Sequence, residues 1–262
     1  MLPGPPREML PMLKEEVIPF LKTQTKSKIH TATVIIRNLA ESKVEERCQQ
    51  YINNLNIQIA YCASFESVKI YLSSENETLI KSLKKQLKTE FKQNVLPEDI
   101  KSVYEYLIFK LITCKKTLST AESCTGGLIA SNLTAIPGSS ECFKGTVVSY
   151  SNEWKSSILK VPENILNNFG AVSFECIEYM LKVKDLYKTD ASIAVTGIAG
   201  PGGGNDLKPV GTVFVAVGLN NQTVIKKFNF TGNREAIRQK AALNGINMLL
   251  NLLEKGNTNG KD

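Results

Sequence analysis

The sequence predicts an α/β protein in which a small α+β module precedes a three-layer α/β/α domain. Three observations predict it. Strands alternate with helices after residue 99, a strand–helix–strand–strand–helix pattern precedes residue 95, and 16 of the 17 glycines lie at or after Gly126. Alternating strands and helices build a sheet covered by helices. Because glycine permits tight turns and close backbone approach to ligands, we expect the binding loops in the second part.

The first part contains a linker region and the module. Residues 1–31 form the linker, in which 10–23 are predicted to be an amphipathic helix interrupted near Pro19. The small α+β module spans 32–95. Its predicted elements are a strand at 32–39, a helix at 41–55, two strands within 57–73, and a basic amphipathic helix at 77–91.

The second part, residues 99–256, supplies the layered domain. Its predicted helices are 99–115, 122–136, 154–160, 173–183 and 233–254. Its predicted strands are 116–121, 146–150, 191–197, 212–218 and 223–230.

The composition narrows the functional classes. The chain has 262 residues, 42% of them hydrophobic, and a net charge of +7 without a polybasic tail, so nucleic acid is not an expected partner. No run of 18 apolar residues and no signal-like N-terminus is present, so we expect no membrane partner. Six cysteines without CxxC spacing indicate free thiols and a cytoplasmic location.

The single histidine, His30, restricts the chemistry further. A Ser-His-Asp triad, a Cys-His pair or a multi-histidine zinc site would all have to use this one residue. We therefore expect no metal site, and a hydrolase with this sequence would need a base other than histidine.

The segment TAESCTGG (120–127) joins a predicted strand to a predicted helix. Ser123 at such a junction can be a nucleophile beside free backbone N–H groups. Thr125, Gly126 and Gly127 would contribute those groups as part of the substrate site. The alternative is an ordinary helix cap, for which Ser and Thr are preferred.

The segment TGIAGPGGGNDLKPVG (196–211) follows a strand rich in β-branched residues. Thr196, Gly197, Gly200 and Gly202 would cradle a phosphate or sugar there, because ligands bind at the carboxyl ends of strands in α/β sheets. The alternative is a flexible surface turn. The spacing matches neither a P-loop nor a dinucleotide fingerprint.

Charged residues in two further segments are candidates for the functional site. Arg234 and Arg238 lie four residues apart on one helix face and could bind phosphate, or could simply be solvated. Lys155 follows the predicted strand that ends at Tyr150. A desolvated lysine can act as a base, whereas an isolated lysine usually lies on the surface.

These segments, in this order, resemble the C-terminal domain of the CinA family from about residue 99 to about 254. The matching segments are TAESCTGG, GSS (138–140), YSNE (150–153), FGAVS (169–173), TGIAGPGGG, KPVGTV and TGNR. The resemblance implies a cofactor-free amidase that converts nicotinamide mononucleotide to nicotinate mononucleotide and ammonia. It also implies that Ser123 is the nucleophile, Lys155 the base, and Tyr150 an assisting hydroxyl.

Residues 1–98 resemble the middle, KH-like segment of full-length CinA proteins, without their N-terminal molybdopterin-binding-like domain. No glycine lies between residues 5 and 125, so the GXXG clamp of KH modules is absent. The expected partner is a small-molecule nucleotide. Of the homo-oligomeric states open to this chain, we favour a dimer. The alternative function is a non-catalytic nucleotide-binding or competence-associated interaction protein.

Overall fold

The computed structural model describes residues 3–24, 28–53 and 55–258, which form two compact units. The first comprises the described residues of Met1–Val34, Ala40–Cys62 and Lys69–Gln93. The second comprises the described residues of Ile35–Leu39, Ala63–Val68 and Asn94–Asp262. Each unit contains helices and strands, which confirms the predicted mixed α/β class.

The first unit begins with a helical segment that buries none of its residues. Helices α1 (Pro6–Met12) and α2 (Ile18–Gln24) are joined by a π-helical turn at Leu13–Val17. The predicted interruption near Pro19 is this turn. Pro19 has no N–H and its ring crowds the carbonyl four residues earlier, and a widened turn accommodates both effects.

A three-stranded sheet with the order β1-β3-β2 follows. Its elements are β1 (His30–Arg37), α3 (Glu41–Ile52), β2 (Gln58–Ala63), β3 (Ser67–Ser74) and α4 (Glu77–Phe91). Helix α4 begins at Asn76, whose side chain accepts a hydrogen bond from the Leu79 N–H. It buries Ile80, Leu83, Leu87 and Phe91, the spacing expected of one helix face.

The second unit is built on a five-stranded sheet with the order β5-β4-β6-β7-β8. The strands are β4 (Leu118–Glu122), β5 (Phe143–Val148), β6 (Ala191–Gly197), β7 (Thr212–Leu219) and β8 (Gln222–Asn229). Strand β4 pairs in parallel with β5 and β6, whereas β7 is antiparallel to both neighbours. After β4 the chain forms β5 on one side of β4, and it later forms β6 on the other side of β4. The carboxyl end of β4 is therefore a topological switch point, where α/β sheets bind ligands.

Helices cover both faces of this sheet. They are α5 (Val103–Thr113), α6 (Leu128–Thr134), α7 (Asn152–Ser157), α8 (Glu163–Asn168), α9 (Phe174–Met180), α10 (Val183–Tyr187) and α11 (Arg234–Thr258). One face of β6 turns Ile193 and Val195 toward a core shared with α5, α6 and α11. The other face turns Ala194 toward Ile177 and Met180 of α9. Since successive side chains point to opposite faces, one sheet serves two cores, which gives the three layers.

Two further observations concern the chain as far as the structure describes it. No helix there combines the length and the apolar character needed to cross a bilayer. All six cysteines are free thiols.

Candidate active site

Ser123 and Lys155 meet at the carboxyl end of β4. The Lys155 Nζ lies 3.0 Å from the Ser123 Oγ. Lys155 is only 1% exposed and Ser123 8% exposed. Lys155 lies in the short helix α7, which overlaps the helix predicted at 154–160. This helix forms because the Ser151 side chain accepts the Trp154 N–H and caps its first turn.

The surroundings of Lys155 favour its uncharged form. Burial lowers the pKa of the Lys155 amine below its ordinary value of 10.5. The amine donates to the Ser149 carbonyl at 2.7 Å and to the Ser123 Oγ at 3.0 Å. In its uncharged form the same nitrogen has a lone pair that can take the Ser123 proton. Burial raises the pKa of the nearby Cys124 thiol to about 12 and that of Cys176 to about 11, so neither supplies a negative charge near pH 7. This arrangement suits a general base for a serine nucleophile.

The segment that follows Ser123 is a turn, and the predicted helix start must be corrected. Helix α6 begins only at Leu128, after Gly126 and Gly127 at φ angles of +60° and +91°. These left-handed angles explain the two glycines. We call residues 123–127 the nucleophile turn.

The N–H groups at the start of α6 are already bound. The fully buried Glu122 carboxylate accepts hydrogen bonds from the N–H groups of Gly127, Ile129 and Ala130 at 2.9–3.1 Å. A negative side chain at a helix N-terminus is electrostatically favourable. The helix N–H groups are therefore not free for a substrate oxygen, contrary to the geometry expected for this junction.

Two N–H groups inside the nucleophile turn remain available. Within the described part of the chain, the Cys124 N–H contacts only the thiol of its own residue and the Thr125 N–H donates to no other residue, whereas the Gly126 N–H donates to the Ser123 carbonyl. On the opposite side, the Arg238 guanidinium donates to the carbonyls of Cys124 and Thr125 at 3.2 and 2.8 Å. Arg238 thus contacts the nucleophile turn at the carbonyl oxygens of Cys124 and Thr125.

Arg234, Tyr150 and Gly200 form a second group of predicted residues. The Arg234 guanidinium donates to the Tyr150 hydroxyl at 2.9 Å and to the Gly200 carbonyl at 2.6 Å. Tyr150 is 63% exposed, and within the described residues its hydroxyl makes no hydrogen bond to Ser123 or Lys155. The tyrosine is therefore joined to the arginine and the glycine-rich loop.

The remaining predicted residues have different surroundings. Thr125 is buried, and its hydroxyl has no partner among the described residues. Thr196 is also buried, but its hydroxyl donates to the Ala171 carbonyl at 2.8 Å. Gly197 packs so closely on Val213 that a Cβ would lie 2.6 Å from its side chain, whereas Gly202 faces open space.

Hydrogen bonds within the glycine-rich segment and to the Phe169 carbonyl hold this segment in place. The Asn205 side chain accepts the N–H groups of Leu207 and Lys208, and the Lys208 Nζ donates to the Phe169 carbonyl at 2.7 Å. These bonds give a defined loop where the alternative was a flexible surface turn. Within the described residues, no three His, Cys, Asp or Glu side chains cluster closely enough to hold a metal ion.

Sequence reasoning missed Glu122 and the Ser149 carbonyl. Glu122 had a readable signal, since an acidic residue at the end of a buried strand lies just before a helix start. The Ser149 carbonyl had none, because any residue at that position carries the same group.

Comparison with protein-family models gives the family. Residues 100–253 match the model of the CinA C-terminal domain. This chain belongs to the CinA family. A CinA-like protein of Prochlorococcus marinus subsp. pastoris is 39% identical over 263 residues, which cover 95% of this chain and 61% of that protein. A Clostridium beijerinckii protein whose name describes it as competence-damage inducible is 40% identical over 97% of this chain and 64% of its own length. The chain thus spans less than two thirds of the length of these CinA relatives.

Solved structures of CinA proteins share the fold. The competence/damage inducible protein CihA of Agrobacterium tumefaciens is 37% identical, with a TM-score of 0.56 over 57% of this chain and 93% of that one. A CinA superfamily protein of Klebsiella pneumoniae is 34% identical, with a TM-score of 0.57 over 58% of this chain and 96% of that one. The similarity covers just over half of the present chain and nearly all of each solved one.

Proposed function

We propose that this protein is a nicotinamide-nucleotide amidase that hydrolyses nicotinamide mononucleotide to nicotinate mononucleotide and ammonia. The observation that carries the proposal is the 3.0 Å contact between the buried Lys155 amine and the Ser123 hydroxyl. A serine with a lysine base can cleave an amide without histidine. Membership of the CinA family supports the assignment, although the printed names of the relatives refer to competence and damage.

The first half-reaction releases ammonia. The Ser123 hydroxyl proton moves to the Lys155 Nζ as the Oγ bonds to the carboxamide carbon, and the carbonyl electron pair moves onto oxygen. When that pair returns, the C–N bond breaks. The leaving nitrogen takes the proton from Lys155 and departs as ammonia, which leaves an ester on Ser123.

The second half-reaction uses water in the place of serine. Lys155 takes a proton from water as the water oxygen bonds to the acyl carbon. The C–Oγ bond then breaks and Lys155 returns the proton to Ser123. The acid product ionises, so the sum is one amide bond hydrolysed and the enzyme restored.

The second group of residues suits the nucleotide portion. Arg234 is positively charged and lies beside the exposed glycine-rich loop, where Gly202 has open space around it. We assign ribose and phosphate binding to this region because guanidinium and free backbone N–H groups are the usual phosphate donors. Tyr150 would orient the substrate or Arg234. We further propose a cytoplasmic location, supported by six free thiols, and a homodimer.

The decisive experiment measures ammonia release from nicotinamide mononucleotide by the purified chain. We expect Ser123→Ala to lose roughly 10³-fold or more in kcat while nucleotide binding persists, because only the nucleophile is removed. Ser140→Ala is the matched control, since Ser140 is exposed and its side chain makes no described hydrogen bond. Free nicotinamide as substrate tests whether the nucleotide portion is required.

Two outcomes would contradict the proposal. Undiminished release by Ser123→Ala would exclude the serine mechanism. A folded wild-type chain that binds nucleotide without releasing ammonia would favour the non-catalytic interpretation, and DNA binding with a steep dependence on salt would favour an interaction protein.

A further inference from the structure

We propose that Glu122 and Arg238 are positioning residues that hold the nucleophile turn so that the N–H groups of Cys124 and Thr125 form an oxyanion hole. This inference rests on the proposed amidase function and changes the part predicted for Arg238. The sequence suggests that Arg238 binds substrate, whereas its hydrogen bonds in the structure are made to the turn and to Glu235.

The first step concerns the direction of the peptide groups. In a trans peptide unit the C=O and the next N–H point in opposite directions. Arg238 binds the Cys124 carbonyl, so the Thr125 N–H of the same unit points away from the guanidinium. The Gly126 N–H binds the Ser123 carbonyl, so the Cys124 N–H is directed away from that bond. Both N–H groups are thus fixed, although neither donates to another residue in the described chain.

The second step concerns charge. Glu122 is fully buried and binds the Gly127 N–H at the end of the turn and two N–H groups beyond it, while Arg238 binds two carbonyls within the turn. The turn is therefore held by a carboxylate at its Gly127 N–H and by a guanidinium at the carbonyls of Cys124 and Thr125. Charge-assisted bonds of this kind are stronger than neutral ones. Donors that are fixed before the substrate arrives are the ones that stabilise a developing oxyanion.

The third step concerns the arginine pair on α11. Arg234 and Arg238 are one helical turn apart, yet their partners differ. Arg234 binds the Tyr150 hydroxyl and the Gly200 carbonyl, and Arg238 binds the turn and Glu235. We infer that Arg234 faces the substrate side and that Arg238 acts on Ser123 through the backbone.

Substrate comparison separates positioning from phosphate binding. We expect Arg238→Met to lower kcat about 10–100-fold with nicotinamide mononucleotide and by a similar factor with its nucleoside, because the turn loses its geometry for both. KM should change little. A rise in KM confined to the phosphorylated substrate would overturn the inference and make Arg238 a phosphate contact. Lys240→Met, which also removes one positive charge from α11, is the control.

A second measurement does not depend on amidase activity. A fluorophosphonate, which forms a P–O bond to activated serines with loss of fluoride, should label Ser123 of the wild type, and Arg238→Ala and Glu122→Gln should slow the labelling at least 10-fold. Added guanidinium ion should restore the rate for Arg238→Ala only. A wild type that is labelled but releases no ammonia would refute the amidase proposal and leave this test valid. Unchanged labelling of both folded variants would refute the positioning roles.

Discussion

The Lys155 side chain is buried, although its amine is a group that water normally solvates. Its amine has two described polar contacts, the Ser123 hydroxyl and the Ser149 carbonyl. A charged ammonium would have three donors and could satisfy only two of them there. Burial therefore lowers the pKa of Lys155 and favours the neutral amine, which is the form able to accept a proton, and the same burial makes the native state sensitive to pH.

Replacement of Lys155 by Met tests this coupling between activity and stability. We expect Lys155→Met to abolish ammonia release and to raise the thermal midpoint at pH 7. The pKa is lowered in the folded state, so the unfolded chain binds more protons and the wild type loses stability as pH falls below 10.5. The stability difference should shrink as pH rises toward that value. Calorimetry at several pH values measures this stability difference. A Lys155→Met variant that is less stable than the wild type at pH 7 would contradict the prediction.

Sequence reasoning reached some of these residues and not others, for physical reasons. Ser123 could be found because strand, serine and paired glycines are contiguous in the chain. The contact with Lys155, 32 residues away, depends on the parallel pairing of β4 and β5, and only the family resemblance suggested it. The orientation of Arg238 could not be predicted, since the carbonyls it binds belong to the backbone.

Helix α11 packs closely on the sheet at one glycine. A Cβ on Gly245 would lie 2.8 Å from the Ile193 side chain, 3.6 Å from Val215 and 3.9 Å from Ile129. Ile193 is β-branched and held within the sheet, so it has little freedom to move aside. The missing side chain thus sets the distance between the helix and β6.

The effect of Gly245→Ala distinguishes packing from helix propensity. Propensity alone predicts stabilisation by about 1 kcal/mol. We expect a net destabilisation of about 1–2 kcal/mol, because overpacking a core costs about 1–3 kcal/mol. Denaturant unfolding measures it. In an Ile193→Ala background the same substitution should become neutral or stabilising, and equal effects in both backgrounds would exclude the steric explanation.

The elements that could be predicted are those with a strong pattern. Helix α4 and strand β6 have the predicted bounds, because a clear apolar period or a β-branched run is flanked by turn residues. Helices α8 and α10, of six and five residues, were not predicted. Segments of one or two turns carry too few apolar positions to show a period, and packing against the sheet decides them.

The second unit is assembled from three separate parts of the chain. Arg37 belongs to it and is 1% exposed. Both Glu254 oxygens accept hydrogen bonds from its guanidinium at 2.7 Å. The Ile35 carbonyl accepts the Leu96 N–H. A boundary at residue 95 or 99, read from composition and Pro97, does not reveal that residues 35–39 and 63–68 pack with the later chain, because such long-range contacts leave no local signature.

A fragment of residues 94–262 tests how far the site depends on those early segments. Every residue of the candidate site lies within this range, and the CihA structure matches little more than half of the present chain. We expect the fragment to fold and to keep ammonia release within a few-fold of the full chain. Its unfolding free energy should fall by about 1–3 kcal/mol, since Glu254 loses a charged hydrogen-bond partner.

Circular dichroism and chemical unfolding compare the two chains. Glu254→Gln in the fragment should recover part of the loss, because it removes the unpaired charge. An unfolded fragment would show that the early segments are indispensable to the five-stranded sheet.

The contacts between Arg37 and α11 also have a consequence for the order in which contacts form during synthesis of the chain. Arg37 is separated by 210 residues from Asn247 and by 217 from Glu254, and its guanidinium donates hydrogen bonds to both of these side chains. During synthesis from the N-terminus, Arg37 therefore lacks these two contacts until the residues of α11 that make them have left the ribosome. The second unit is completed only when α11 joins the end of β1, and the site at β4 requires the same helix for Arg234 and Arg238.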